Sequence, residues 1–436
     1  MRLLSRLLTR LVQRGRLTIV DHDGARRVFG DGGDGPDVHL RFTTPGTAGR
    51  IGRSPVLGAG EAWMDGELLV ERGGGIGDLL ELVALNARWS DDNPMRVKMW
   101  RTQALASKVY QLNYRRRAKD NVAHHYDLSD RLYDLFLDAD RQYSCAYFRG
   151  READIEQAQH DKKAHIAAKL YLQPGQHVLD IGCGWGGMAL YLAKVADVRV
   201  TGITLSQEQL KVARQRAEEQ GLADRVRFEL IDYRDISGPF DRIVSVGMFE
   251  HVGLPHYREF FARVRDLLTE DGVALIHTIG RADGPGATDP FTRKYIFPGG
   301  YAPALSEMVP HIEREMLWLT DCETLRLHYA RTLDAWLRRT EFAREEIERL
   351  YDDRFYRMWT WYLASAREAF KHDGHCNYQL QLTRRRDALP LTRDYMFETE
   401  ARYLAMAVGS SVPGGQSSAV EAAGSASEAT VSTGAA

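Results

Sequence analysis

The 436-residue chain has no apolar run approaching the length of a membrane span. Its first residues also lack the uninterrupted apolar core of a signal peptide. The expectation is a cytoplasmic protein that stays soluble or at most lies on a membrane surface. Cysteine is scarce: Cys145, Cys183, Cys322 and Cys376 are scattered without paired metal spacing, which argues against a disulfide framework and suits a reducing compartment. Neither charge sign dominates. With 58 Lys and Arg against 60 Asp and Glu, the net charge of −2 leaves no basic excess to neutralise phosphates, so a general nucleic-acid binder is not expected. Internal repeats are absent too. What remains is ordinary for a soluble globular protein of two or three domains.

The first segment present, "MRLLSRLLTRLVQRGRL", has helical spacing. Leu3, Leu4, Leu7, Leu8 and Leu11 share one face, with Arg2, Arg6 and Arg10 on the other. Such a helix either lies on an anionic membrane surface or packs its leucines on its own domain, and the pattern serves both uses. Short strand-like pieces, glycine-rich turns and a helical "IGDLLELVALNA" follow, as in a small α+β unit without an evident catalytic cluster. Beyond residue 121 the pattern changes. Strand-like "HVLDI", "VRVTGITL", "VRFELI", "FDRIVSVG" and "GVALIHTI" alternate with helical segments, the signature of a doubly wound parallel sheet. In "HYREFFARVRDLL", Tyr257, Phe260, Phe261, Val264, Leu267 and Leu268 fall on one side and read as core. The aromatics of "EEIERLYDDRFYRMWTWYLASAREAF" also read as core. The expected organisation is an N-terminal lipid- or membrane-associated domain over 1–100, a linker over 101–120, a cofactor-binding domain over 121–407, and a disordered Ser/Ala/Gly tail over 408–436.

Four glycines crowd the turn between strand and helix in "VLDIGCGWGGMALYLA". Glycine there permits a tight turn and close approach of a ligand to a helix N-terminus. The spacing points to a nucleotide-like cofactor without saying which. A nicotinamide-binding unit would place a carboxylate at the tip of the second strand. Here that tip offers Thr204, Ser206 and Gln209 instead, and the third strand ends in Asp232-Tyr233. A carboxylate beside an aromatic ring suits an adenine edge, so a methyltransferase using S-adenosylmethionine is preferred.

The ordered set "HHYDLSDRLYDLFLD", "YSCAYF", "LDIGCGWGG", "GITLSQEQ", "DYRD", "RIVSVGMFEHVG", "LIHTIG", "YIFPGG" and "HYARTLDAW" resembles the cyclopropane-fatty-acyl-phospholipid synthases and the related mycolic acid cyclopropane synthases. The likeness runs from about Asn121 to Phe370, and "GEAWMDGELLVE" resembles the N-terminal domain of longer bacterial members. It implies an α/β fold: a doubly wound, mostly parallel, seven-stranded class I methyltransferase sheet with a small N-terminal α+β domain. It implies methyl transfer from S-adenosylmethionine to a cis alkene of an unsaturated phospholipid acyl chain, giving a cyclopropane ring. The enzyme would act as a peripheral protein at the inner membrane surface, in some relatives as a homodimer. For the co-substrate it implies Tyr143, Ser144, Gly182, Cys183, Gly184, Thr204, Leu205, Ser206, Gln209, Asp232 and Tyr233.

The resemblance also implies a bound bicarbonate as base, held at Cys145, Glu250, His277, Ile279 and Tyr329. Cys145 and Ile279 would offer mainly backbone contacts. Glu250, expected to be ionised at neutral pH, would accept the proton of bicarbonate, while His277 and Tyr329 donate to its oxygens. Taken singly, each has a plainer reading: Glu250 as a helix cap, His277 as a satisfied core histidine, Cys145 as a small hydrophobe, Tyr329 as core. His372, His375 and Cys376 lack a second ligand group, so no metal is expected. One departure stands out: many relatives carry a cysteine where this chain has Ala366, and alanine forms no covalent intermediate. Two other outcomes stay open, a methylene or methyl branch from the same carbocation and a non-catalytic lipid- or cofactor-binding protein.

Overall fold

A computed structural model describes residues 1–87 and 129–409. The expected 101–120 linker, the end of the first domain and the tail beyond 409 lie outside the described residues. The N-terminal unit is α+β as expected. Helix α1 (Arg2–Leu11) precedes strands β1 (Arg16–Val20), β2 (Arg26–Phe29) and β3 (Asp37–Phe42), helices α2 (Thr47–Arg53) and α3 (Pro55–Met64), β4 (Leu68–Arg72) and α4 (Ile76–Leu85). The strands form one sheet in the order β2-β1-β3-β4, with β1 and β3 parallel. The leucine face of α1 divides: Leu4 and Leu8 are buried in the core while Leu3 is half exposed.

Helix α3 seats this unit on the rest of the molecule. Trp63 Nε1 donates to the Arg357 carbonyl (2.9 Å), and Glu61 and Asp65 pair with Lys294 (2.7 Å) and Arg354 (3.0 Å). A Cβ on Gly60 would strike the rings of Phe291 and Trp361, so the two units touch there at backbone distance. One apolar cluster runs from Leu4 and Leu8 through Phe291 to Trp336 and Trp359.

The second unit begins with α5 (Asp130–Phe136) and α6 (Ile155–Lys169). It continues through β5 (His177–Ile181), α7 (Gly187–Ala196), β6 (Arg199–Thr204), α8 (Gln207–Glu219), β7 (Val226–Leu230), β8 (Phe240–Val246), α9 (Tyr257–Leu267) and β9 (Leu268–Arg281). After these come α10 (Pro290–Tyr295), α11 (Leu305–Arg314), β10 (Trp318–Leu325), α12 (His328–Phe342), α13 (Arg344–Leu350), α14 (Asp353–His372), β11 (His375–Thr383) and α15 (Asp394–Gly409).

Seven strands make one sheet in the order β10-β11-β9-β8-β5-β6-β7. The five strands legible in the sequence pair parallel with one another, and the order reverses beside β5, between β6 and β8. In open α/β sheets ligands bind at such a switch point, outside the carboxyl ends of the strands. Strand β11 lies antiparallel to both β9 and β10, setting Gln379 opposite His277 and Asn377 opposite Ile279. The six apolar residues expected on one side of α9 and at its end are all buried.

Candidate active site

Two glycines of the β5–α7 turn show what the missing side chains are for. Gly182 has φ of 81°, and a Cβ there would meet Met248 at 2.8 Å. A Cβ on Gly187 would collide with Gln142 and Asp140, so the 138–145 segment can lie directly over the start of α7. The result is a pocket over the carboxyl ends of β5 to β8. Its walls include Tyr143 and Ser144, the turn Gly182–Cys183–Gly184, Thr204, Leu205 and Gln209, and Asp232 with Tyr233. Ten of the eleven expected co-substrate residues therefore meet around one cavity. Ser206 is not among the lining residues; its hydroxyl caps α8 by accepting from the Gln209 N–H (3.3 Å). That cap and the Thr204 Oγ1–Gln209 Oε1 bond (3.0 Å) fix where Gln209 sits.

Asp232 meets a partner that sequence reading missed. Arg234 Nε donates to Oδ1 (2.8 Å) and Nη2 to Oδ2 (2.6 Å), a bidentate clamp on a buried carboxylate that faces the same pocket. Asp180, at the carboxyl end of β5, is 1% exposed, and its Oδ2 has no partner among the described residues. Burial raises its carboxyl to about 7, opposed by the nearby Lys162 ammonium. Such a polar wall, beside a glycine cradle, fits a ligand carrying both charged and nucleoside groups. Arg141, Gln142, Trp185, Met248 and His251 also line the pocket. None belongs to the expected set: Trp185 sits within the glycine turn itself, and glycine spacing carries no information about the other four, which come from segments elsewhere in the chain.

The five expected base-site residues lie beside this pocket rather than in its wall. Glu250 follows the pocket residue Met248 and is buried. Its Oε1 accepts from the Ile279 N–H at 2.6 Å, and its Oε2 has no partner among the described residues. Burial raises this carboxyl to about 7, so it is close to half-protonated at neutral pH, not fully ionised as expected from sequence. His277 is 1% exposed on β9, its Nδ1 at 3.1 Å from Gln379 Nε2 and its Nε2 without a partner among the described residues. Burial lowers its pKa to about 3, so the ring is neutral. The His277 carbonyl accepts from the N–H of the pocket residue Gly247 (2.9 Å), which ties base site to pocket.

Cys145 is fully buried next to Ser144, and burial pushes its thiol well up, so it is no nucleophile. Tyr329 opens α12, with its ring 4.7 Å from Phe370 and 5.8 Å from Trp336. Trp336 in turn stacks on Tyr143 at 5.2 Å. Tyr143 also bonds Tyr362 of α14 through their hydroxyls (3.2 Å). Glu250 and Ile279 are thus joined directly, His277 through Gly247, Cys145 through Ser144, and Tyr329 through an aromatic chain.

A doubly wound sheet with one antiparallel strand inserted next to its end, and a glycine-turn pocket at its switch point, defines a class I S-adenosylmethionine-dependent methyltransferase. The family model described as mycolic acid cyclopropane synthetase matches residues 113–380, and the chain belongs to that family. Among relatives, it is 39% identical over 332 residues to the cyclopropane-fatty-acyl-phospholipid synthase of Escherichia coli, covering 76% of this chain and 84% of that one. It is 38% identical over 355 residues to the probable fatty acid methyltransferase of Pseudomonas putida, covering 78% and 86%. The cyclopropane synthase MmaA2 from Mycobacterium tuberculosis superposes with a TM-score of 0.58 at 34% identity, covering 61% of this chain and 97% of that one. The mycolic acid cyclopropane synthase CmaA1, solved with S-adenosylhomocysteine and CTAB, gives 0.58 at 33% identity, covering 61% and 97%. The chain is an enzyme that uses S-adenosylmethionine as co-substrate, and the non-catalytic reading is set aside. Among the described residues no helix is long and apolar enough to cross a membrane.

Proposed function

We propose that this enzyme converts the cis double bond of an unsaturated phospholipid acyl chain into a cyclopropane ring, with bicarbonate as base. S-adenosylmethionine supplies an electrophilic methyl on a sulfonium. The alkene π pair forms the new carbon–carbon bond as the sulfur keeps the old one, leaving a carbocation on the other alkene carbon. Loss of a proton from the added methyl closes the ring. The chain's own residues exclude water, hold the reactants in line and fix a base beside that methyl.

The observation that carries this reading is the pair of buried polar atoms without partners, Glu250 Oε2 and His277 Nε2, beside the co-substrate pocket. Such atoms are costly to leave unmet and suit a small oxyanion carrying one proton. Because Glu250 sits near 7, it can accept the proton of bicarbonate or share its own. Tyr143 lines the co-substrate pocket, and the face of an aromatic ring there would attract the passing carbocation. Ala366 in place of the relatives' cysteine is compatible with this scheme, since no covalent enzyme intermediate is needed. We place the enzyme on the cytoplasmic side of a membrane as a peripheral protein, since its acyl substrate resides there.

The Pseudomonas putida relative's name, and that of the tuberculostearic acid methyltransferase of Mycobacterium tuberculosis (33% identical), favour a second reading. A 1,2-hydride shift in the same cation would move the charge to the carbon bearing the new methyl, and loss of a proton from that methyl would then leave a methylene branch. The test is NMR of the transesterified product from dioleoyl phospholipid vesicles. Cyclopropane methylene resonances at high field support the ring, and exocyclic methylene resonances in their place refute it.

A further inference from the structure

Helix α6 turns polar side chains inward. Gln159 and Lys162 are 0% exposed, and Lys163 is buried as well. All three grip the segment that carries Tyr143, Ser144 and Cys145. Gln159 Nε2 donates to the carbonyls of Gln142 and Ser144, both at 3.0 Å. Lys162 Nζ donates to Gln142 Oε1 (2.7 Å) and to Ser144 Oγ (2.8 Å). Lys163 and Arg216 pair with Asp140, and Arg216 also donates to the Trp185 carbonyl (2.8 Å).

These bonds have a direction. An ammonium has three donors and no acceptor, so both Gln142 Oε1 and Ser144 Oγ must accept from it. The Gln142 amide nitrogen is therefore left to donate to Asp140 Oδ2, as it does at 3.0 Å. For Ser144 the consequence is sharper. Its hydroxyl has one proton, and with Lys162 donating to the oxygen that proton must go elsewhere. Ser144 lines the pocket beside Gly247, where a Cβ would lie 3.7 Å from its own.

We propose that Lys162 is a positioning residue for the co-substrate: by donating to Ser144 Oγ it makes that hydroxyl a donor to the carboxylate of the methionine moiety. The proposal rests on S-adenosylmethionine lying with its adenine at Asp232 and its amino-acid end at the glycine turn and Ser144. Burial lowers the Lys162 pKa to about 8, which still leaves an ammonium at neutral pH. The same charge faces the neighbouring Asp180. A partner able to accept would let the Ser144 proton turn inward, which an ammonium does not.

The experiment compares two ligands by calorimetry. S-adenosylhomocysteine carries the amino-acid end, and 5′-methylthioadenosine keeps the adenosine and thioether without it. Lys162→Met should weaken S-adenosylhomocysteine about tenfold and leave methylthioadenosine unchanged. Ser144→Ala should do the same, and the double variant should be no weaker than the worse single one. Equal losses for both ligands, or additive losses in the double variant, overturn the proposal by reducing Lys162 to a structural prop. A loss in Ser144→Ala with none in Lys162→Met refutes the part given to Lys162 alone. Unchanged affinity in Ser144→Ala refutes the placement of the amino-acid end, and the proposal with it. Should Lys162→Met bind neither ligand, Lys162→Gln is read by the same two-ligand comparison.

Discussion

Replacing Glu250 by glutamine should stabilise the protein while disabling it. The native carboxyl is buried with one oxygen satisfied by Ile279 N–H and the other unmet, and its pKa rises from the ordinary 4.5 to about 7. The folded state therefore holds the Glu250 proton more tightly than the unfolded chain does. Stability contributed by this group is present at low pH and lost as pH rises through the interval between about 4.5 and about 7. The full loss is roughly 3 kcal/mol, at 1.36 kcal/mol per pH unit of displacement. Glutamine keeps an oxygen for Ile279 N–H and cannot ionise, so the variant lacks this dependence. Urea unfolding without ligands, from pH 5 to pH 8.5, should show the variant gaining on the parent as pH rises to about 7 and holding that lead beyond. Methyl transfer to oleoyl phospholipid should fall by about 10² or more, because glutamine puts a donor where an acceptor is needed. A stability difference that stays constant across this pH range would refute the burial argument. A folded variant running at the parent rate would refute the catalytic one.

Three further outcomes are open to measurement. Asp232→Ala removes the acceptor for the adenine amine and releases Arg234, and should weaken S-adenosylhomocysteine ten- to a hundredfold, about 1–3 kcal/mol; unchanged affinity in calorimetry would mean that adenine is read elsewhere. Tyr329→Phe should lower turnover less than Glu250→Gln, with partial recovery when bicarbonate is restored to carbonate-depleted buffer; a loss indifferent to bicarbonate would remove Tyr329 from the anion site. In α1, Leu8→Ala should cost about 2–4 kcal/mol by opening a cavity in the shared core, whereas Leu3→Ser, at a half-exposed position, should leave stability alone and weaken binding to anionic vesicles. Vesicle affinity unaffected by Leu3→Ser would make α1 a packing element only.

The α1 case shows how far pattern reaches. Leucine spacing predicts a helix with one apolar face, and a helix is there. Whether that face meets lipid or its own domain depends on what lies opposite, and Leu4 and Leu8 face the core. The same limit explains β10 and β11. Strand β11 reads "HCNYQLQLT", with glutamines and an asparagine at positions the fold buries completely, so its hydropathy does not look like an interior strand. Helix α6 is missed for a related reason: its buried face includes Gln159, Asp161, Lys162, Lys163, His165 and Lys169. Apolar periodicity cannot detect a core built from polar residues that satisfy one another.

What the sequence determined by itself was local and ordered along the chain. The glycine turn, the five parallel strands, the apolar side of α9 and the motif order follow from backbone geometry and from periodicities of two and 3.6 residues. These placed the co-substrate pocket and ten of the residues that line it. Tertiary structure alone decided which distant groups complete it: Gln379 reaches His277 across 102 positions, Tyr143 meets Tyr362 across 219, and Glu250 finds Ile279 on the neighbouring strand. It also decided protonation. Desolvation depends on the three-dimensional packing around a group, so only the fold could hold Glu250 near neutrality, keep His277 uncharged and place the Lys162 ammonium behind Ser144.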